Sequence, residues 1–359
     1  MSETQLSVAV IGLGIVGGRV ARQLGASGWS VLVHDQKPEV SRRLAKVPNL
    51  EQFSSPTFVD ATRTPVVVLA TGSDQAQWAR ELLERGHHVV STSDDVGDTR
   101  RLIELDGLAR SQQRSLVVGA AASPGLTGLL VSELSHRVDV VDEIHVAIHG
   151  TGGPECARQH HTALAGEASG WHDGEWIHRP GGSGRDLLWF PEPIGGKDCY
   201  RAAMADPILL HEVFPQAQRI SARLSANRRD RFTSRLPMLS PPNAEGGLGG
   251  VRVEIRGSYQ GQRRTEVAGV AERTGMIAAA VAAACTKYVL QNHISPTGSS
   301  YPLKAGVVML GSSTLNNQIL VDEIIRSGIS IFEYVGAEYM SSQTPSSQKS
   351  GSQTLKSRA

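Results

Sequence analysis

The residues best suited to chemistry in this 359-residue chain come first: Gly12-Leu13-Gly14-Ile15-Val16-Gly17 follows the apolar run Ser7 to Ile11 and leads into a helical pattern ending at Ala26. In that context each glycine has its own task. Gly12 permits a tight turn, Gly14 lets backbone approach a pyrophosphate, and Gly17 lets helix and strand pack closely. The phosphates would rest on the backbone N–H groups of Ile15 and Val16, where the helix dipole favours negative charge. A second apolar strand, Ser30 to His34, ends at Asp35, 21 residues after Gly14. A carboxylate there accepts hydrogen bonds from both ribose hydroxyls and repels a 2'-phosphate, which favours NAD, while nearby Lys37 keeps NADP possible.

Further candidates lie on three loops and one helix. Thr71-Gly72-Ser73, Ser91-Thr92-Ser93-Asp94-Asp95 and Ala122-Ser123-Pro124-Gly125 follow strand ends, the first expected beneath the nicotinamide ribose and the last along the ring. Asp94 and Asp95 either cap the helix that follows or face the cofactor. Six of the twelve histidines fall between His145 and His178, which suggests a metal. However, His145 and His149 alternate on one strand and stand about 13 Å apart at 3.3 Å per residue, so they cannot chelate one ion. Cys156 and His160, four apart on a helix, share a face and could ligate zinc, but this segment offers no two further ligands, and no metal is expected. His160 or His161 is the expected proton carrier, with Asp94 as alternative, unless the histidines are surface or packing residues. Gly152 and Gly153, at the start of the same helix, form a second candidate anion site for a substrate carboxylate. Arg231, in the run Arg228 to Arg235, could clamp a carboxylate, although such runs are more often solvated.

Positioning these groups requires a particular architecture. Continuous apolar strands at Val66 to Ala70, His88 to Ser91 and Ser115 to Gly119 alternate with helices at Asp74 to Arg85, Thr99 to Gln112 and Gly125 to Leu134. This predicts a Rossmann-type, doubly wound parallel sheet over residues 1–136, with ligands beyond the strand carboxyl ends. After Arg137 the pattern changes to alternation. Ile144, Val146 and Ile148 face one way, and Glu143, His145, Ala147 and His149 the other; Val251 to Tyr259 and Arg263 to Ala271 make a hairpin about Gln260-Gly261. An α+β domain on a mixed or antiparallel sheet is expected over 137–272, for substrate binding and dimerisation. An Ala-rich helix to Leu290 opens residues 273–340, read as helices and a strand packing back on the first domain. Trp171, Trp176, Trp189, Phe190 and Tyr200 either wall a pocket or pack a satellite core.

Composition excludes several classes. With 36 Lys+Arg against 35 Asp+Glu the net charge is +1, which leaves no electrostatic footprint for nucleic acid. Three cysteines without a CxxC pair make no disulfide framework, and a reducing cytoplasm is expected. Met1 to Ser7 reads as the approach to a strand and not as a signal. The longest apolar run, Met276 to Cys285, is about half the length a membrane span requires. Residues 341–359, Ser-rich and basic, are expected to be disordered.

The chain resembles the saccharopine dehydrogenase-like group of NAD(P)-dependent oxidoreductases. The resemblance lies in the Rossmann motif, in Ser123-Pro124-Gly125-Leu126, in Trp189-Phe190-Pro191-Glu192-Pro193-Ile194-Gly195, in Glu272-Arg273-Thr274-Gly275 and in Tyr301-Pro302-Leu303. It implies hydride transfer at an amine or imine carbon of an amino-acid-like substrate, with Gly12, Gly14, Gly17 and Asp35 at the cofactor and Ser123, Pro124 and Gly125 beside the nicotinamide. The residues themselves leave three other readings open: a dehydrogenase acting on a C–O group, a non-catalytic NAD(P)-binding redox sensor, and a metal-dependent hydrolase. A homodimer is expected through the exposed face of the second sheet.

Overall fold

The computed structural model describes residues 6–53, 59–72, 74–236, 238, 246–295, 302–335 and 338–342. Ser73, Tyr301 and the segment 343–359, on which sequence expectations were placed, lie outside them. Seven parallel strands form the first sheet, in the order β15 (Gly306–Met309), β6 (Ser115–Val118), β5 (His88–Ser91), β4 (Val66–Leu69), β1 (Ser7–Ile11), β2 (Ser30–His34), β3 (Leu50–Gln52). The strands are apolar on both sides because both sides are covered. Val8, Val10, Val66 and Val68 join the core containing helix α1 (Ile15–Ala26) and helix α10 (Thr274–Ile294). Their neighbours Ala9, Ile11, Val67 and Leu69 face α3 (Gln75–Glu84), α4 (Val96–Ile103) and α5 (Asp106–Ser111). Each fully buried Val or Leu contributes about 1.5–3 kcal/mol, so this two-sided core holds the loops at the carboxyl edge in place.

The expected helix Thr99 to Gln112 is two helices, broken at Glu104 and Leu105. The break has a tertiary reason: Asp106 opens α5, accepts the backbone N–H of Val307 in β15 at 2.8 Å and pairs with Arg110. No local propensity encodes a bond to a strand 201 residues away.

The second sheet is mixed and has ten strands. Its path runs β10 (Asp186–Phe190), β11 (Gly195–Arg201), β12 (Arg219–Ser225), β7 (Val140–His149), β13 (Leu248–Tyr259), β14 (Gln262–Arg273), β16 (Ile331–Val335), β17 (Glu338–Ser342), with the hairpin β8 (Glu167–His172) and β9 (Glu175–Pro180) on β12. Among the described residues of this sheet only β7 and β12 are parallel neighbours. The face bearing Ile144, Val146 and Ile148 packs under helix α6 (Leu126–Ser135). The opposite face is charged, with His145, Arg219, Arg223, Arg252, Glu254 and Arg256 around a cavity of about 490 Å³. That face is not uniformly wet: Ala147 is buried with Phe190, Ile194 and Cys199 in a small satellite core. The aromatics divide accordingly, with Phe190 and Tyr200 buried, Trp171 edge-on to Trp176, and Trp189 58% exposed.

Residues beyond 273 serve both sheets. Helix α10 lies against α1, and its alanines, good helix formers with no bulk, let the two approach closely. β15 then extends the first sheet, whereas β16 and β17 pair into the second. This corrects the expectation that the terminal strand returns to the first domain. The reason is register: Val267 to Val270 of β14 present a free strand edge, which Ile331 to Tyr334 complete. β17 also runs two residues into the segment read as a disordered tail.

Candidate functional site

Along the carboxyl edge of the first sheet runs a cleft of about 750 Å³, closed on its far side by helix α7 (Pro154–Ala165) and the start of α10. Its floor begins at the β1–α1 turn. Gly12 has φ +86, and a Cβ there would lie 2.6 Å from the Ala70 carbonyl oxygen. A Cβ on Gly17 would collide with the Gly12 carbonyl oxygen, so strand and helix meet there with no room for a side chain. At Gly14, by contrast, nothing lies within 4 Å of the Cβ position. Helix α1 starts at Gly14 without a side-chain cap or an acidic residue in its first turn. An open, uncapped helix N-terminus reached through glycine fits a pyrophosphate. Asp35, at the end of β2, accepts the Leu13 N–H at 2.7 Å and the Lys37 N–H at 2.8 Å. Its carboxylate is thus tied to the loop from which a ribose would be reached.

The next two loops are stitched together by residues that sequence reasoning did not single out. Gln75, buried at the start of α3, donates to the Thr71 carbonyl at 2.6 Å and accepts from Ser91 Oγ at 2.8 Å and from the Thr92 N–H. Asp98 of α4 accepts the Gln75 and Ala76 N–H groups and the Ser93 hydroxyl at 2.8 Å. Hence Thr71, Gly72 and Ser93 are placed by one buried network, and Ser93 faces Asp98 as well as the cleft. Asp95 is the cap of α4, accepting the Asp98 N–H at 2.7 Å, which frees Asp94 for the cleft. The third loop is anchored from the second domain. Asp206, at the start of α8 (Asp206–Val213), accepts Ser123 Oγ at 2.6 Å and Thr127 Oγ1 at 2.7 Å. Burial pushes its carboxyl up in pKa, and the two hydroxyls pull it back. The sequence signal for Asp206 was only an acidic residue before Pro207 at a helix start. Gly125, at φ +131, leaves no room for a Cβ beside the Ala121 carbonyl, which keeps Ser123 and Pro124 tight against the sheet.

Helix α7 then runs across the cleft. Gly153, at φ +149, packs on Ile15, with a Cβ position 2.7 Å from Ile15 Cγ1. Glu155 lies on Gly72, and Gln159 donates to the Gly72 carbonyl at 2.8 Å. The Gly152-Gly153 terminus therefore sits over the dinucleotide loop, on the phosphate side of the cleft. Farther along α7, Cys156 and His160 share a face, with Sγ 3.5 Å from Nε2. Asp94 completes a group whose ligand atoms all lie within 4.8 Å of one another. Burial holds His160 below the ordinary imidazole value, opposed by Asp94, and raises Asp94, opposed by His160. Burial, with Asp94 adding to it, pushes the Cys156 thiol up to about 12. Burial thus disfavours the charged form of each of the three groups, and the attraction between Asp94 and His160 opposes it.

Two expected residues lie elsewhere. His161 points to the other side of α7, its Nε2 2.9 Å from the Leu236 carbonyl, because consecutive helical residues face about 100° apart. Arg231 does not line the cleft. Its guanidinium lies over Tyr200 at 5.3 Å and Phe232 at 4.9 Å, and its stem rests near Gly182, so aromatic faces hold the charge that was expected to clamp substrate.

Residues 7–122 match the family model of the NAD binding domain of 6-phosphogluconate dehydrogenase. The first domain is a nicotinamide-dinucleotide-binding domain, and the cofactor is NAD or NADP. No curated protein matches the chain. Among solved structures it is similar to saccharopine dehydrogenase (L-Glu forming) from Saccharomyces cerevisiae, at TM-score 0.67 and 15% identity over 92% of this chain and 99% of that one. It is also similar to C. glutamicum DAP dehydrogenase in complex with DAP (TM-score 0.49, 14% identity, 90% and 99% covered). An engineered D-amino acid dehydrogenase bound to NADP+ gives TM-score 0.49, 14% identity, and 88% and 96% covered. The chain is saccharopine dehydrogenase-like in fold. Among its described residues no helix is long and apolar enough to cross a membrane.

Proposed function

We propose that this chain is an NAD(P)-dependent oxidoreductase acting at an amine or imine carbon of an amino-acid-like substrate. One observation carries the reading: a single cleft joins the dinucleotide loop at Gly14 and Ile15 to the half-buried Asp94, Cys156 and His160. The bound dinucleotide supplies or accepts the hydride. The protein's residues orient and move protons. Gly12, Gly14, Gly17, Ile15 and Val16 hold the pyrophosphate, Asp35 the adenosine ribose with preference for NAD, and Thr71, Gly72, Ser93, Ser123, Pro124 and Gly125 the nicotinamide half. In amine oxidation the ammonium must first lose a proton; neutral His160 takes it, with Asp94 facing the imidazolium that results. The substrate class follows the resemblance to the yeast saccharopine dehydrogenase, while the Gly152-Gly153 terminus, packed over the dinucleotide loop, would face the cofactor's phosphates and not a substrate carboxylate. The reading includes a cytoplasmic homodimer through the charged face of the second sheet.

The test is steady-state turnover of NAD(H) and NADP(H) with a panel of amino acids and of keto acids plus amines. His160→Ala is expected to lower turnover by about 10²–10⁴-fold while dinucleotide affinity stays within about twofold. Unchanged turnover removes His160 from the reaction. Tight dinucleotide binding without turnover on any member of the panel replaces the enzyme with a redox sensor.

A further inference from the structure

The strongest unassigned feature is the convergence of Asp94, Cys156 and His160, in which Cys156 Sγ and His160 Nε2 are in hydrogen-bond contact while the Asp94 carboxylate stands beside them. No hydrogen bond joins the Asp94 carboxylate to His160, and His160 Nδ1 is buried with no partner. The thiol and Nε2 stand 3.5 Å apart. A tetrahedral zinc ion with Zn–S about 2.3 Å and Zn–N about 2.0 Å would separate these two atoms by about 3.5 Å. Carboxylate, thiol and imidazole come from two elements, the loop after β5 and one face of α7, so the set exists only when the first domain and α7 are closed on each other.

We propose that Asp94, Cys156 and His160 bind one zinc ion, with the fourth coordination position open to the cleft. The donor set is one thiolate, one imidazole and one carboxylate, which suits zinc and is too soft for magnesium or calcium. Three protein ligands with a free fourth position are the pattern of a catalytic site, because structural sites are closed by four. On binding, the Cys156 thiol loses its proton to water and an S–Zn bond forms; the ion reverses the effect of burial on that sulfur. Thr92, Ser93 and Ser123 line the same cleft, in which a substrate nitrogen or oxygen would take the fourth position. The inference rests on the hydride-transfer reading of the cleft and changes one part of it. With the ion in place His160 is a ligand, and an ion-bound water or substrate atom carries the proton.

The experiment strips the full chain of metal and returns zinc or cobalt(II) to it. Equilibrium dialysis with elemental analysis is expected to find about one ion per chain, and the cobalt form to show a thiolate-to-metal charge-transfer band. Cys156→Ser and Asp94→Asn are each expected to weaken ion binding by about 100-fold or more while NADH binding, which reports a folded first domain, is kept. Wild-type protein that retains no stoichiometric ion overturns the proposal, as does a cobalt form without the thiolate band, or ion binding unchanged in Cys156→Ser. The two readings fail separately. Stoichiometric zinc without turnover supports the site and refutes the proposed reaction, whereas full turnover in the metal-free chain supports the reaction and refutes a part for the ion in it.

Discussion

The dinucleotide loop Gly12–Gly17 and the group Asp94, Cys156 and His160 lie at two ends of one cleft and are made in opposite ways. The loop is contiguous, uncharged and built from backbone: its chemistry is the N–H groups of an open helix terminus and the absence of three side chains. The group at the other end is built from side chains on two elements 62 residues apart in sequence, each shifted in pKa by burial among the others. The first works wherever strand, turn and helix fold. The second exists only when α7 lies on the first domain. An affinity for the cofactor can therefore survive changes that abolish chemistry, and the reverse is not possible.

The sharpest way to break this contrast is inside the loop itself. Gly17→Ala would drive a methyl into the Gly12 carbonyl and is expected to cost about 3 kcal/mol and most of the dinucleotide binding, read by thermal unfolding and NADH fluorescence. Gly14→Ala meets no atom, so apo stability should move by less than about 1 kcal/mol while dinucleotide affinity falls at least about tenfold. Equal effects of the two would show that Gly14 does not face the cofactor. At the opposite end, Asp206→Asn loosens the Ser123 and Thr127 hydroxyls without touching the loop. Turnover per unit KM is expected to fall about 10–100-fold with dinucleotide affinity unchanged, and loss of both would join the two ends into one unit.

A third test uses pH. His88, buried in β5, accepts the Ser115 N–H at 3.0 Å, and burial, with Arg114 and His293 nearby, lowers its pKa to about 3. Because the folded value lies below the unfolded one, this residue's contribution is complete above about pH 6.5 and is lost as pH falls toward 3. Denaturant midpoints should therefore be level at neutral pH and decline below about 6.5, and His88→Gln should flatten that decline. An identical slope in the variant would assign the pH response to other groups. The smallest effect is expected from Arg231→Ala: turnover within about twofold and a stability loss of about 0.5–1 kcal/mol from the lost stacking on buried Tyr200 and exposed Phe232. A tenfold loss of turnover would return Arg231 to the substrate.

Legibility followed the same division. β1, β2 and β5 were readable to the residue because each is a short apolar run bounded by turn residues, and the β13–β14 hairpin because alternation flanks Gln260-Gly261. The break between α4 and α5 was not, since Asp106 bonds to β15 only after the chain has returned from the second domain. Cys156 and His160 were visible as a pair, since i,i+4 spacing is local, but Asp94 could not be added to them from the sequence. Gln75, Asp98 and Asp206 were missed for a related reason: their partners are distant, and an isolated Asp or Gln at a helix start has the same appearance whether it caps, solvates or positions a loop.

By itself, then, the sequence determined a dinucleotide loop, a parallel sheet to carry it and a second sheet of different texture, because periodicity and glycine placement act over fewer than twenty residues. Tertiary structure alone decided which carboxylate meets Cys156 and His160, that His161 and Arg231 face away from the cleft, and that the last strands are divided between the two sheets. Those outcomes depend on how α7 and the terminal segment pack. Packing sums many weak contacts over long sequence separations, and no local pattern records that sum.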